Sequence, residues 1–199
     1  MTAPRAVLAT RNPGKTAELR RILAPYGVEL VDLDPDFEPG PEIGATFVEN
    51  ALAKAREAAE HTGLPAVADD SGLAVDALNG MPGVLSARWA GRHGDDRANL
   101  ELLLGQLADV PDERRGAGFV CAAAFALPGG GEHVVTGELR GRVTTVARGS
   151  GGFGYDPVLE VDGRTVAELG AEEKDAVSHR GQAFRALAPL LADALRSAG

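Results

Sequence analysis

The apolar run over residues 66–78, A-V-A-D-D-S-G-L-A-V-D-A-L, heads into two adjacent acids, a hydroxyl and a glycine. It reads as a buried strand that delivers carboxylates to its exposed end and then turns. Neighbouring side chains of an extended segment point to opposite faces, so Asp69 and Asp70 cannot both face one ligand unless the backbone bends. Such a place suits metal chemistry. The plainer alternative is a solvated Asp-Asp-Ser-Gly turn between two hairpin strands.

Apolar spacing predicts a first strand over 5–10, the loop R-N-P-G-K, and a helix with apolar positions 19, 22 and 23 on one face. A strand is expected over 28–33, then a mobile loop over 34–44, rich in proline, glycine and acid. Thr46 and Glu49 form a capping box for a helix running to about His61 and ended by Gly63. On it Asn50 and Lys54 share one face, and Ala51, Ala55 and Ala58 line another. Residues 95–107 read as an amphipathic helix. Residues 119–127, 133–140 and 142–148 read as strands, the first pair joined by P-G-G-G-E, an antiparallel meander beside the parallel unit. Asp162-Gly163 is a hairpin turn, and Ser178 caps a last helix that Pro189 is expected to kink.

A chain of 199 residues suits one α/β domain or two closely joined lobes. Its single cysteine, Cys121, lies in an apolar run and is expected as a buried small hydrophobe. Without an N-terminal signal or a long apolar span, the expected location is the cytoplasm, with no membrane partner. A net charge of −9 argues against broad attraction to polymeric nucleic acid. An anionic small molecule would need a local positive site.

Of the 20 basic residues 17 are arginine, leaving Lys15, Lys54 and Lys174 as the lysines. Either the three lie where they do by chance, or a lysine kept in so arginine-rich a chain marks a place where a compact ammonium is needed, as at phosphate oxygens. Strand, glycine loop and helix around Lys15 is an anion-binding geometry, though not a P-loop, and N-P-G-K is equally a turn with a helix cap. In R-G-S-G-G-F-G-Y-D-P the glycines allow close approach to a flat ligand on which Phe153 stacks and which Asp156 orients, or Phe153 is simply tucked into the core. His179 and Arg180 put positive charge in a helix first turn, against the dipole, and an acceptor-rich ligand would account for it.

In order, V-L-A-T-R-N-P-G-K, E-I-G-A-T-F-V-E-N-A with Lys54, A-D-D-S-G-L, S-A-R-W, G-G-F-G-Y-D-P, E-E-K and S-H-R-G-Q-A resemble the inosine triphosphate pyrophosphatases over nearly the whole chain. The resemblance implies an elongated two-lobed α/β fold, with a long mixed β-sheet flanked by helices and a central substrate cleft, spanning 1–199 as one pyrophosphatase domain. It further implies a homodimer and Mg²⁺-dependent hydrolysis of ITP, dITP and XTP to the monophosphate and pyrophosphate.

Carried over by position, Thr10, Arg11, Asn12, Pro13, Gly14 and Lys15 would form the triphosphate loop, joined by Lys54. Asp70 would be the catalytic carboxylate and hold Mg²⁺, with Glu42 and Asp69 near the metal and Ser71 on the substrate. Phe153, Gly154, Tyr155, Asp156, Lys174, His179 and Arg180 would shape the base pocket. Two departures from the family pattern are Ile43, where threonine is usual, and Pro189. The alternatives are a pyrophosphatase for other modified nucleotides and a nucleotide-sensing module that binds without hydrolysis.

Overall fold

The computed structural model describes residues 5–197. Seven strands, β1 (Arg5–Leu8), β2 (Glu29–Asp32), β3 (Ala66–Val75), β4 (Gly116–Ala126), β5 (Glu132–Val143), β6 (Leu159–Val161) and β7 (Arg164–Thr165), form one sheet in the order β2-β1-β3-β4-β5-β6-β7. The sheet is mixed: β1 runs parallel to β2 and β3, whereas β6 is antiparallel to β5 and β7. Five α-helices complete the fold: α1 (Pro13–Leu23), α2 (Phe47–Thr62), α3 (Asp96–Gln106), α4 (Ala171–Val177) and α5 (His179–Ser197). Among the described residues no helix is long and apolar enough to cross a membrane.

The chain divides into two compact units: Met1–Asp70, Cys121–Gly137 and Arg180–Gly199 form the first, Ser71–Val120 and Glu138–His179 the second. In the first unit, strand alternation sorts the side chains onto two faces. Ala6, Leu8, Val67, Cys121, Ala123 and Phe125 pack with Leu19 and Ile22 of α1 and with Phe184 and Leu187 of α5. Val7, Ala66, Ala68, Ala122 and Ala124 pack with Ala51, Ala55, Ala58 and Ala59 of α2. The second face is built from small side chains, which let the α2 backbone lie close to the sheet. Cys121 is fully buried and free, as expected.

In the second unit Leu73, Val75, Leu103, Leu107, Phe119, Val143 and Leu159 make a separate core. Its largest fully buried side chain among the described residues is Arg115, which donates to the carbonyls of Leu107 (2.6 Å), Val143 (2.8 Å) and Thr144 (2.8 Å). A buried guanidinium is tolerable because carbonyls take up its donors.

Two sequence expectations need correction. Asp-Asp-Ser-Gly is not a turn, since β3 continues through it to Val75. The Leu73 amide inside that extension donates to Ser86 Oγ (2.9 Å). The expected strands over 133–140 and 142–148 are instead the single strand β5, which ends at Val143. Gly141 does not break it but permits β6 to come close, because a Cβ there would lie 2.2 Å from the Glu160 carbonyl oxygen. α5 carries Pro189 within a single helical span. The cap of α2 forms with a variation: Thr46 Oγ1 accepts from Glu49 N (3.2 Å), while the Glu49 carboxylate accepts from Ala45 N (2.7 Å).

Candidate functional site

The pleat of β3 decides the partners of its two acids. Asp69 shares the face of Val67, towards α1 and α5, and Asp70 shares the face of Ala68, towards α2. Both are buried, at 2% and 6% exposure. No backbone bend is needed, because each acid meets a different set of cations.

On the first face Asp69 Oδ2 lies 2.9 Å from Lys15 Nζ and 3.3 Å from Arg180 Nε. Arg180 Nη1 also donates to Glu18 Oε2 (2.5 Å). Burial works against the guanidinium's charge, but the carboxylates of Asp69 and Glu18 outweigh it and raise its pKa. The acceptors that explain a positive side chain at the start of α5 are therefore in the protein itself. Arg180, expected in the base pocket, has its guanidinium on these carboxylates beside Lys15.

The loop before α1 is a helix cap. Asn12 Oδ1 accepts from Gly14 N (2.9 Å) and Lys15 N (3.2 Å), and Pro13 fills the first helical turn, where its missing N–H costs nothing. The Asn12 carboxamide oxygen is thus committed to the cap, while the Lys15 ammonium lies on Asp69. Thr10 Oγ1 accepts from Asn12 N (3.3 Å). Arg11 donates to the carbonyls of Pro35 (2.9 Å) and Phe37, fastening the acidic loop that follows β2.

On the second face Lys54 Nζ sits between Asp70 Oδ1 (2.8 Å) and Glu42 Oε1. Asn50 Nδ2 donates to Asp70 Oδ2 (3.0 Å), so both carboxylate oxygens are held from one face of α2. One ammonium shared by two carboxylates leaves the group net negative. Burial lifts the Asp70 pKa above its ordinary value despite the opposing pull of Lys54. For Lys54 burial acts downward, but Asp70 and Glu42 together carry the pKa up. Glu42, Asn50 and Lys54 line a cavity of about 200 Å³.

In the second unit the loop after β5 brings Phe153 and Asp156 against Lys174. Lys174 Nζ of α4 lies 2.7 Å from Asp156 Oδ2 and 4.7 Å from the Phe153 ring centroid. Asp156 Oδ2 also accepts from Phe153 N (2.9 Å). The loop needs Gly152, at φ 72°, because a Cβ would lie 1.8 Å from that same oxygen. Tyr155 donates its hydroxyl to the Ser86 carbonyl (2.9 Å), and burial, then the Asp96 carboxylate, hold the phenol's pKa well above its usual value. His179 is buried and stacks on Phe119, with ring centroids 4.9 Å apart. Ser71, next in the chain after Asp70, is partly buried.

All three lysines thus sit on buried carboxylates. Glu18, Asp96 and Phe119 escape sequence reasoning. The only signal for Glu18 is an acid one turn after Lys15, beside the apolar positions of α1. Glu42, Asp69 and Asp70 do not converge on one point, and no group of three potential ligands of that kind forms among the described residues. Glu42 and the Asp70 carboxylate share Lys54, which also donates to the Asp69 carbonyl (3.3 Å).

Comparison with known proteins identifies the family of the chain. The chain is 61% identical over 197 residues to a dITP/XTP pyrophosphatase of Streptomyces coelicolor, covering 96% of this chain and 98% of that protein. A crystal structure of a nucleoside-triphosphatase / dITP/XTP pyrophosphatase from Mycobacterium abscessus matches at 60% identity and a TM-score of 0.76, over 94% of this chain and 99% of that one. The structure of a HAM1 protein from Coxiella burnetii matches at 40% identity and a TM-score of 0.83, over 96% and 99% of the two chains. Residues 6–190 match the Ham1 family as a whole, so the chain belongs to the Ham1 family.

Proposed function

We propose that this protein is a nucleoside triphosphate pyrophosphatase that hydrolyses ITP, dITP and XTP to the monophosphate and pyrophosphate. The observation that carries this reading is the pairing, on opposite faces of one strand, of Lys15 with Asp69 and of Lys54 with Asp70. That pairing occurs in a chain 61% identical to a protein named dITP/XTP pyrophosphatase.

Glu42 and Asp70 offer hard oxygen donors in a net-negative group, which fits Mg²⁺, a cation that takes one or two protein carboxylates and leaves its other positions to phosphates and water. When bound, Mg²⁺ would neutralise phosphate charge and improve pyrophosphate as a leaving group. Lys15 and Asn12 hold phosphate oxygens, Lys15 exchanging Asp69 for the substrate, and Lys54 does so from α2. Asp70, with its orientation fixed by Asn50 and Lys54 and its basicity raised by burial, takes a proton from the water that attacks the α-phosphorus as the bond to the β-phosphate breaks. Phe153 stacks on the base while Lys174, Asp156 and His179 shape its surroundings.

A donor aimed at the 6-oxo oxygen suits hypoxanthine and xanthine but meets a donor in adenine. Each unmatched buried polar group costs about 1–3 kcal/mol, so a few mismatches amount to orders of magnitude. Pyrophosphate released from ITP, dITP, XTP, GTP and ATP, with and without Mg²⁺, tests the assignment. Fast release from the first three with Mg²⁺ is expected; ATP turned over as fast as ITP would contradict it. A cytoplasmic homodimer is part of the same proposal, and light scattering at the mass of a single chain would remove the dimer.

A further inference from the structure

The start of α3 carries two adjacent acids with different duties. Asp95 caps its own helix, accepting from Ala98 N (3.2 Å). A helix needs one such cap, and Asp96 is turned elsewhere: its Oδ2 accepts from Gly154 N (2.9 Å), in the loop that carries Phe153. Gly154 has φ 61°, a left-handed conformation, and its amide is met from outside the loop by Asp96. The same helix reaches the S-A-R-W segment one turn later, where Asn99 accepts from Ala90 N (2.7 Å) and donates to the Ala87 carbonyl (3.2 Å). Ser86 in that segment in turn receives the Tyr155 hydroxyl. The beginning of α3 therefore fixes both sides of the loop from 153 to 156: directly through Asp96, and through Asn99, Ser86 and Tyr155.

We infer that Asp96 is a positioning residue for substrate recognition, holding the Gly154 amide so that the Phe153 ring and Lys174 keep the geometry in which a purine stacks. This rests on the assignment of Phe153 to the base. Asp96 touches neither substrate nor reacting atoms; it acts through the loop. The loop's inner bonds, from Phe153 N and Lys174 to Asp156, set its local shape, whereas Asp96 ties it to a helix.

The test compares Asp96→Ala and Asp96→Asn with the parent, measuring pyrophosphate release from ITP and amide hydrogen exchange at Gly154 in the ligand-free protein. Asp96→Ala should raise KM about fivefold, the effect of losing an exposed charge-assisted hydrogen bond, with kcat within about twofold of the parent and faster Gly154 exchange. Asp96→Asn keeps an acceptor oxygen and should restore both KM and exchange towards the parent. An unchanged KM in Asp96→Ala, a loss confined to kcat, or an asparagine variant no better than the alanine one would overturn the inference. If KM rises in Asp96→Ala but Phe153→Ala leaves KM unchanged, the fault lies in the assignment of Phe153 and the inference falls with it. An active parent with normal Phe153 behaviour and a silent Asp96→Ala removes the inference alone.

Discussion

Asp69 and Asp70 are one bond apart in the chain and belong to different chemical settings, because successive side chains of β3 face different helices. Asp69 is balanced by Lys15 and Arg180; Asp70 shares Lys54 with Glu42 and keeps an excess of negative charge. Under the proposed function this division assigns metal and proton to Asp70 and leaves Asp69 as the counter-ion of Lys15. At the base end, Phe153→Ala should raise KM for ITP about tenfold, the worth of one aromatic–base stack, with kcat much less affected. An unchanged KM would remove Phe153 from base binding. The alternation that separates the acids was legible in the sequence, as were the three lysines. Glu18 was not, because an acid beside the apolar stripe of a helix looks like a solvated charge until α5 brings Arg180 against it.

Elements carry the side chains only as well as they pack. α2 meets the sheet through alanines, and Ala55 is fully buried there, one position after Lys54. Ala55→Leu should cost about 1–3 kcal/mol by overpacking and, by displacing α2, should weaken substrate binding through Lys54 as well. Urea denaturation together with KM checks both; a stable variant with parental KM would show that the helix has room to spare. In the second unit Glu160 of β6 is held by Arg142 (2.7 Å) and Arg148 (2.5 Å), and the hydrogen bonds from these guanidiniums lower its pKa. The unfolded chain then takes up this proton first, so the stabilisation is complete above the range of a free carboxylate, about pH 4.3, and fades as pH falls through the lower folded value. Glu160→Gln should therefore lower Tm at neutral pH and lose that difference in strong acid. A pH-independent difference would mean the loss is one of packing. These pairs were hidden in the sequence because β5 looked like two strands: only the approach of β6 explains why Gly141 continues the strand instead of ending it.

For the molecule as a whole, the sequence was most readable where one physical rule dominates. Helix boundaries followed from caps, as at Thr46 and Gly63, and the parallel unit followed from strand, loop and helix spacing. It was least readable where residues far apart in the chain meet, as with Arg180 and Glu18 or Asp96 and Gly154. Two of the four chain boundaries between the units fall inside motifs that signalled the family, between Asp70 and Ser71 and between His179 and Arg180. The most direct test of the account is pyrophosphate release from ITP with Mg²⁺ by the parent and by Asp70→Asn, with ITP binding followed by calorimetry. The account predicts a fall in kcat of at least about 100-fold, the usual contribution of a general base, with ITP affinity largely retained. An Asp70→Asn variant that releases pyrophosphate near the parental rate would contradict it.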